Sequence, residues 1–170
     1  QAVEALAVEM PGESWAVKLL QAVARAHPCG PVEVKLLRRQ LLLSFSSRSL
    51  LVPTDLRDGL LDSALEMDFT HKKFVQAFQG AVDGGCPRIS MRFPIAGREL
   101  GYHASHWTLR AVPAVESQAL EVEVAYAGSD LDWLRQWIWG SRVRAALTTD
   151  LIQGGASFPV PLLLDGRRLD

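Results

Sequence analysis

The sequence predicts an α+β domain with helices packed on one face of a mostly antiparallel sheet. Three observations predict it. Stretches with apolar residues at three- and four-residue spacing alternate with stretches of period two. A helix, a break of small residues, a proline and then a strand recurs at Pro31, Pro87 and Pro159. The composition, 48% hydrophobic and 22% charged over 170 residues, suits one globular core. Residues 1–170 therefore read as a single domain, with 1–69 and 70–170 as sub-lobes if it divides. The recurring pattern fits a duplicated αββ unit, and it fits three unrelated turns of similar chemistry at least as well.

Residues 1–10 are apolar with two glutamates and suit a short strand or a short helix equally. Pro11-Gly12 breaks the chain, and Ser14 can cap a helix from Trp15 to about His27 with Leu19, Leu20, Val23 and Ala24 on one stripe. Pro28-Cys29-Gly30-Pro31 ends it. Residues 32–37 alternate as a strand, Arg38-Arg39-Gln40 turns, and residues 41–45 return. A second helical region opens after Pro53 at Thr54 or Asp55 and is interrupted near Met67-Asp68-Phe69. Phe74, Val75, Phe78, Ala81 and Val82 then share one face of a helix that stops at Asp83-Gly84-Gly85. Pro87 forbids a return to helix, and residues 88–93 alternate as a strand. Pro94-Ile95-Ala96-Gly97 turns the chain, and strands follow at 103–112 and 120–126. Gly128-Ser129-Asp130 caps a long helix, 131–152. Residues 158–164 form a last strand, which its prolines assign to an edge, and Asp165-Gly166 supplies a turn.

Bulk properties exclude several functions. Net charge is −1, from 18 basic and 19 acidic residues, so overall electrostatics provide no grip on nucleic acid. The longest apolar runs are far too short to cross a bilayer, and no basic segment precedes a hydrophobic one as a signal peptide would require. A chain beginning at Gln1 is expected to be an excised or processed piece of a longer protein. Cys29 and Cys86 are too few for a disulfide framework and read as buried free thiols of a cytoplasmic protein.

Motifs for chemistry are sparse. There is no G-x-x-x-x-G-K-[ST] loop and no G-x-S-x-G elbow, and Ser141 falls inside a helix without a partnered histidine. His103-x-x-His106 falls in or beside a strand, where residues three apart point to opposite faces, so no metal site is expected. Asp58–Asp62 and Asp130–Asp132 read as solvated helix charges.

The stretch Gln76-Ala77-Phe78-Gln79-Gly80-Ala81-Val82-Asp83-Gly84-Gly85-Cys86-Pro87-Arg88-Ile89-Ser90-Met91 resembles the first motif of GHKL ATPases, E-x-x-x-N-x-x-D-A-G-A-x-x-I-x-V. That family includes type II topoisomerases, histidine kinases and MutL mismatch-repair proteins. The spacing matches throughout, while Gln76 stands at the position of the general-base glutamate and Gly80 at that of the magnesium-binding asparagine. The family's second motif, D-x-G-x-G, is expected after the strand at 88–93, but residues 94–101 contain no aspartate. The resemblance thus implies a degenerate scaffold with no catalytic residues, cofactor or metal. Its expected role is a non-catalytic protein–protein interaction or scaffolding domain of a larger protein or assembly. The alternative it implies is a regulatory domain that still binds a nucleotide or small molecule between the 70–83 helix and the sheet, through Gln76, Gln79, Asp83 and Arg98.

One helix has an unusual composition. Trp133, Trp137 and Trp139 share it with Arg135 and Arg142, and Trp139 lies about 200° around the axis from Trp137. Three indoles so placed do not fit one core stripe, and tryptophan and arginine are the side chains most enriched at binding hot spots. These five residues are the expected interface with a protein partner or a second copy.

Overall fold

The computed structural model describes residues 14–62, 64–117, 119–126, 133–155 and 158–169, and the side chains of 133–143 lie outside that description. Among the described residues are helices α1 (Trp15–Arg25), α2 (Pro53–Leu61), α3 (Phe69–Asp83) and α4 (Trp133–Gly155). The strands are β1 (Val32–Leu36), β2 (Gln40–Ser46), β3 (Arg88–Phe93), β4 (Arg98–His103), β5 (His106–Ala111), β6 (Ala119–Ala125), β7 (Leu162–Leu164) and β8 (Arg167–Leu169). All eight form one sheet in the order β5-β4-β3-β6-β2-β1-β7-β8, antiparallel except where β7 runs parallel to β1. The fold class is the α+β arrangement that the alternating periodicities imply. Both α-β-β units occur, but β1 sits outside β2 relative to β6 whereas β3 sits inside β4, so they enter the sheet in opposite order.

Local chemistry accounts for the helix ends. The Ser14 hydroxyl accepts from the Val17 amide at 3.3 Å and starts α1, which buries Ala16, Leu19, Leu20, Ala22 and Val23. Pro53 opens α2 at the first helical position, where its missing N–H costs nothing. Asp68 caps α3 by accepting from the His71 amide at 2.9 Å. The His71 ring is buried between two partners: Nε2 accepts from the Val52 amide at 2.9 Å, so Nδ1 carries the proton toward Asp68 Oδ1 at 2.8 Å. That ring ties the entry of α2 to the start of α3. At the other end of α3 it is Gly85, at φ +89°, that takes the left-handed conformation, while Gly84 remains at φ −76°.

The strands alternate cleanly. Val32, Val34 and Leu36 of β1, Leu41, Leu43 and Phe45 of β2, Ile89, Met91 and Phe93 of β3, and Val122 and Val124 of β6 point to the helix side and are buried. A file of rings runs through this core. Phe45 stacks on Phe74 with centroids 6.1 Å apart, Phe74 meets Phe78 at 6.2 Å, Phe78 meets Trp107 at 6.0 Å, and Trp107 meets Tyr102 at 5.0 Å. It links β2 to β4 and β5 beneath α3.

The structure corrects three expectations. The strand expected at 103–112 is the second arm of a hairpin, and β4 was not foreseen. Its two-residue turn uses Ala104 and Ser105 at φ 51° and 66°, where such turns usually carry asparagine and glycine, so no sequence signal marked it. The last strand is neither as long as expected nor an edge. Pro159 and Pro161 precede it, β7 begins at Leu162, and β8 folds back through Asp165-Gly166 to become the edge. Cys29 is exposed rather than buried; only Cys86 is interior, where burial pushes its thiol up to about 12.

Replacing Phe78 by alanine removes the ring that joins Phe74 to Trp107 and should cost about 3–5 kcal/mol, read as a lowered midpoint in guanidinium unfolding. A loss under about 1 kcal/mol would mean that this file of rings is not the centre of the core.

Candidate functional site

Three surfaces bear on function: the junction of α3 with the sheet, the end of the sheet under α4, and the sheet face that no described helix covers. At the first, the four residues expected to line a ligand pocket do not converge. Gln76 and Asp83 are exposed on α3 and Gln79 is half-buried. Arg98 is exposed at the start of β4, opposite Phe93 at the far end of β3. Asp83 precedes the Arg88 end of that strand, so five residues of β3, about 16 Å of strand, separate the two ends. Between α3 and the sheet stand the rings of Phe74 and Phe78 against Phe45 and Trp107.

Gly80 has a packing role. It lies where α1 crosses α3, and a Cβ there would sit 3.5 Å from the Trp15 Cβ and 3.9 Å from the Lys18 side chain. These are ordinary van der Waals distances, and they show that position 80 faces α1. The donor set also lacks the chemistry of a magnesium-nucleotide site, because Gln76 offers a neutral amide and Gly80 no ligand at all. The residues at these positions do not fit the group that the GHKL resemblance implies.

Trp133, Arg135, Trp137, Trp139 and Arg142 all lie on α4, but their side chains fall outside the described residues. The described part of α4 packs on α1 and on the end of the sheet. Arg144 Nε donates to the Leu36 carbonyl at 3.0 Å, and the Leu36 amide donates to Asp165 Oδ1 at 2.9 Å. Tyr126 is buried beside them, and its hydroxyl has no hydrogen-bond partner among the described residues. Burial pushes its pKa up to about 12, with the Arg144 charge pulling down and that of Asp165 pushing up.

The third surface is polar and was not singled out from sequence. Arg110 of β5, Glu99 of β4, Arg92 of β3 and Glu121 of β6 stand side by side across four strands. Arg110 Nη2 lies 2.6 Å from Glu99 Oε1, Arg92 Nη2 3.0 Å from Glu99 Oε2, and Arg92 Nη1 3.9 Å from Glu121. Both arginines also donate through Nε, so each engages one oxygen of Glu99 twice. The Glu99 side chain is only 12% exposed. Burial raises its pKa, but the hydrogen bonds and charges of Arg92 and Arg110 outweigh that and hold it below the usual 4.5. Two shallow troughs flank this row. One, of about 390 Å³, is floored by Leu42 and Ser44 between Lys35 and Glu123; the other, of about 340 Å³, is floored by Ser90, Gly101 and Thr108.

His103 and His106 belong to this face. The expectation that they point to opposite sides fails because the turn falls between them, making them directly opposed residues of a hairpin. No group of three or more metal-ligating side chains occurs among the described residues. A period-two pattern located the polar positions of β3, β5 and β6 but not β4, and only the register, which sequence does not give, aligns them into a row.

Among the described residues no helix is long and apolar enough to cross a membrane. Neither a known family nor a curated protein matches the chain.

Because Glu99 has its pKa lowered on folding, its contribution is present above pH 4.5 and is lost as pH falls through the folded value. Glu99→Gln should therefore lower the melting temperature at neutral pH and flatten its fall on acidification. An unchanged acid profile would mean that the row contributes nothing to stability.

Proposed function

We propose that this chain is a non-catalytic protein–protein interaction or scaffolding domain of a larger protein or assembly, built on a scaffold similar to a degenerate GHKL ATPase. What supports this most is the packing of α3. The space between that helix and the sheet is occupied by Phe74 and Phe78, and Gly80 faces Trp15 and Lys18 of α1 and offers no ligand. The rival, a nucleotide-binding regulatory domain, needs Gln76, Gln79, Asp83 and Arg98 to face one pocket, whereas Asp83 and Arg98 lie by opposite ends of β3. Binding then falls to exterior surfaces. The run of tryptophan and arginine at residues 133–142 has the composition of a contact hot spot and is the first candidate.

Magnesium-ATP and magnesium-ADP should leave the melting temperature unchanged, whereas Trp139→Ala should abolish self-association or partner binding with the fold intact. A nucleotide-dependent rise of several degrees would overturn the proposal in favour of the regulatory domain.

A further inference from the structure

The two edges of the sheet are built differently. β8 has three residues, two of them Arg167 and Arg168, the short and charged form by which native edges avoid pairing. β5 has six residues, His-Trp-Thr-Leu-Arg-Ala, with no proline and an unbroken register against β4. In a two-residue hairpin the residues flanking the turn exchange both hydrogen bonds, so bonding toward β4 falls on His106, Thr108 and Arg110. The amides and carbonyls of Trp107, Leu109 and Ala111 then point away from the sheet, and none has a backbone partner among the described residues. This is a long strand edge without proline or bulge, and the helix packed beside it is α2.

Its side chains indicate what would pair with it. The row Glu121, Arg92, Glu99, Arg110 alternates in sign from strand to strand and stops at the edge on an arginine whose side chain is 67% exposed. Continuing that alternation by one strand would set a carboxylate beside Arg110. On this face the carboxylates Glu99, Glu121 and Glu123 lie on β4 and β6, inboard of β5, and the charge that the edge strand itself carries is Arg110. On the opposite face Trp107 and Leu109 are half-buried, so an added strand meets apolar surface there. A second copy suits the edge less well. Antiparallel self-pairing centred on Thr108 sets Arg110 against His106, and pairing centred on Leu109 sets it against Thr108; neither supplies an acid.

We propose that β5 is a docking edge for an extended, acidic segment of a partner protein, which adds a ninth strand with carboxylates on the Arg110 side and apolar residues on the Leu109 side. This names a surface and a partner chemistry for the interaction reading above and rests on it.

The test uses two synthetic peptides of about eight residues, enough for one strand, with valine alternating with glutamate in one and with lysine in the other. The glutamate peptide should slow hydrogen exchange at the amides of Trp107, Leu109 and Ala111. Arg110→Ala should weaken it by roughly threefold, the scale of an exposed ion pair, and Arg110→Glu should shift preference to the lysine peptide. Equal binding of both peptides, or no protection at these amides, would overturn the proposal. So would a dimer of the protein alone in which they are already protected. If peptide binding fails while nucleotide still does not bind, only the β5 site is lost. Nucleotide binding without peptide binding would remove the interaction reading as well.

Discussion

The structure depends on one constraint: a sheet with a single apolar face must bury it, and α1 and α3 together cover its centre. Every inward position of β1, β2, β3 and β6 is aliphatic or aromatic, and the helices return the same chemistry through Leu19, Leu20, Phe74 and Phe78. At about 25 cal/mol per Å² of apolar surface buried, side chains of this size supply the dominant favourable contribution to folding. The crossing of α1 over α3 follows from it. Both helices reach the same sheet and also touch each other, meeting where Gly80 faces Trp15 and Lys18.

The same constraint separates the two faces of the sheet by chemistry. Beneath α3 the inward face is filled by Phe74 and Phe78, and the buried His71 has both ring nitrogens engaged with partners. The outward face is free to carry charge, and it does so in register, with Glu99 held between two arginines. A row of this kind gives direction to a flat surface. It can favour one orientation of an approaching chain over another through charge alone, which is how polar interfaces gain specificity more than affinity.

Much of this was legible in the sequence, for identifiable reasons. Periodicity located α1, α3 and β3 closely, because their apolar residues recur without interruption and strong breakers bound them. The caps at Ser14 and the stop near Gly85 were readable for the same reason. The hairpin of β4 and β5 was not, since Ala104 and Ser105 lack the residues that normally mark a tight turn. Nor was the place of β7, because proline content speaks to where a strand can begin and not to which neighbours it finds. The polar row was invisible for a deeper reason: its members lie on four strands, and their alignment is a property of register. Of the candidate ligand residues, Gln76, Gln79 and Asp83 share one side of α3, while Arg98 sits at the end of β3 opposite to the one that Asp83 precedes.

The hydrogen bond from the Leu36 amide to Asp165 spans 129 residues of chain, and β7 completes the pairing of β1 over a comparable stretch. Loop closure over such a distance is slow compared with hairpin formation. During synthesis β1 therefore waits with one flank unpaired while most of the polypeptide emerges, and in that interval the nascent chain offers a sticky border that the finished molecule conceals. An early strand sealed by a late one leaves its border open until Leu162–Leu164 are in place.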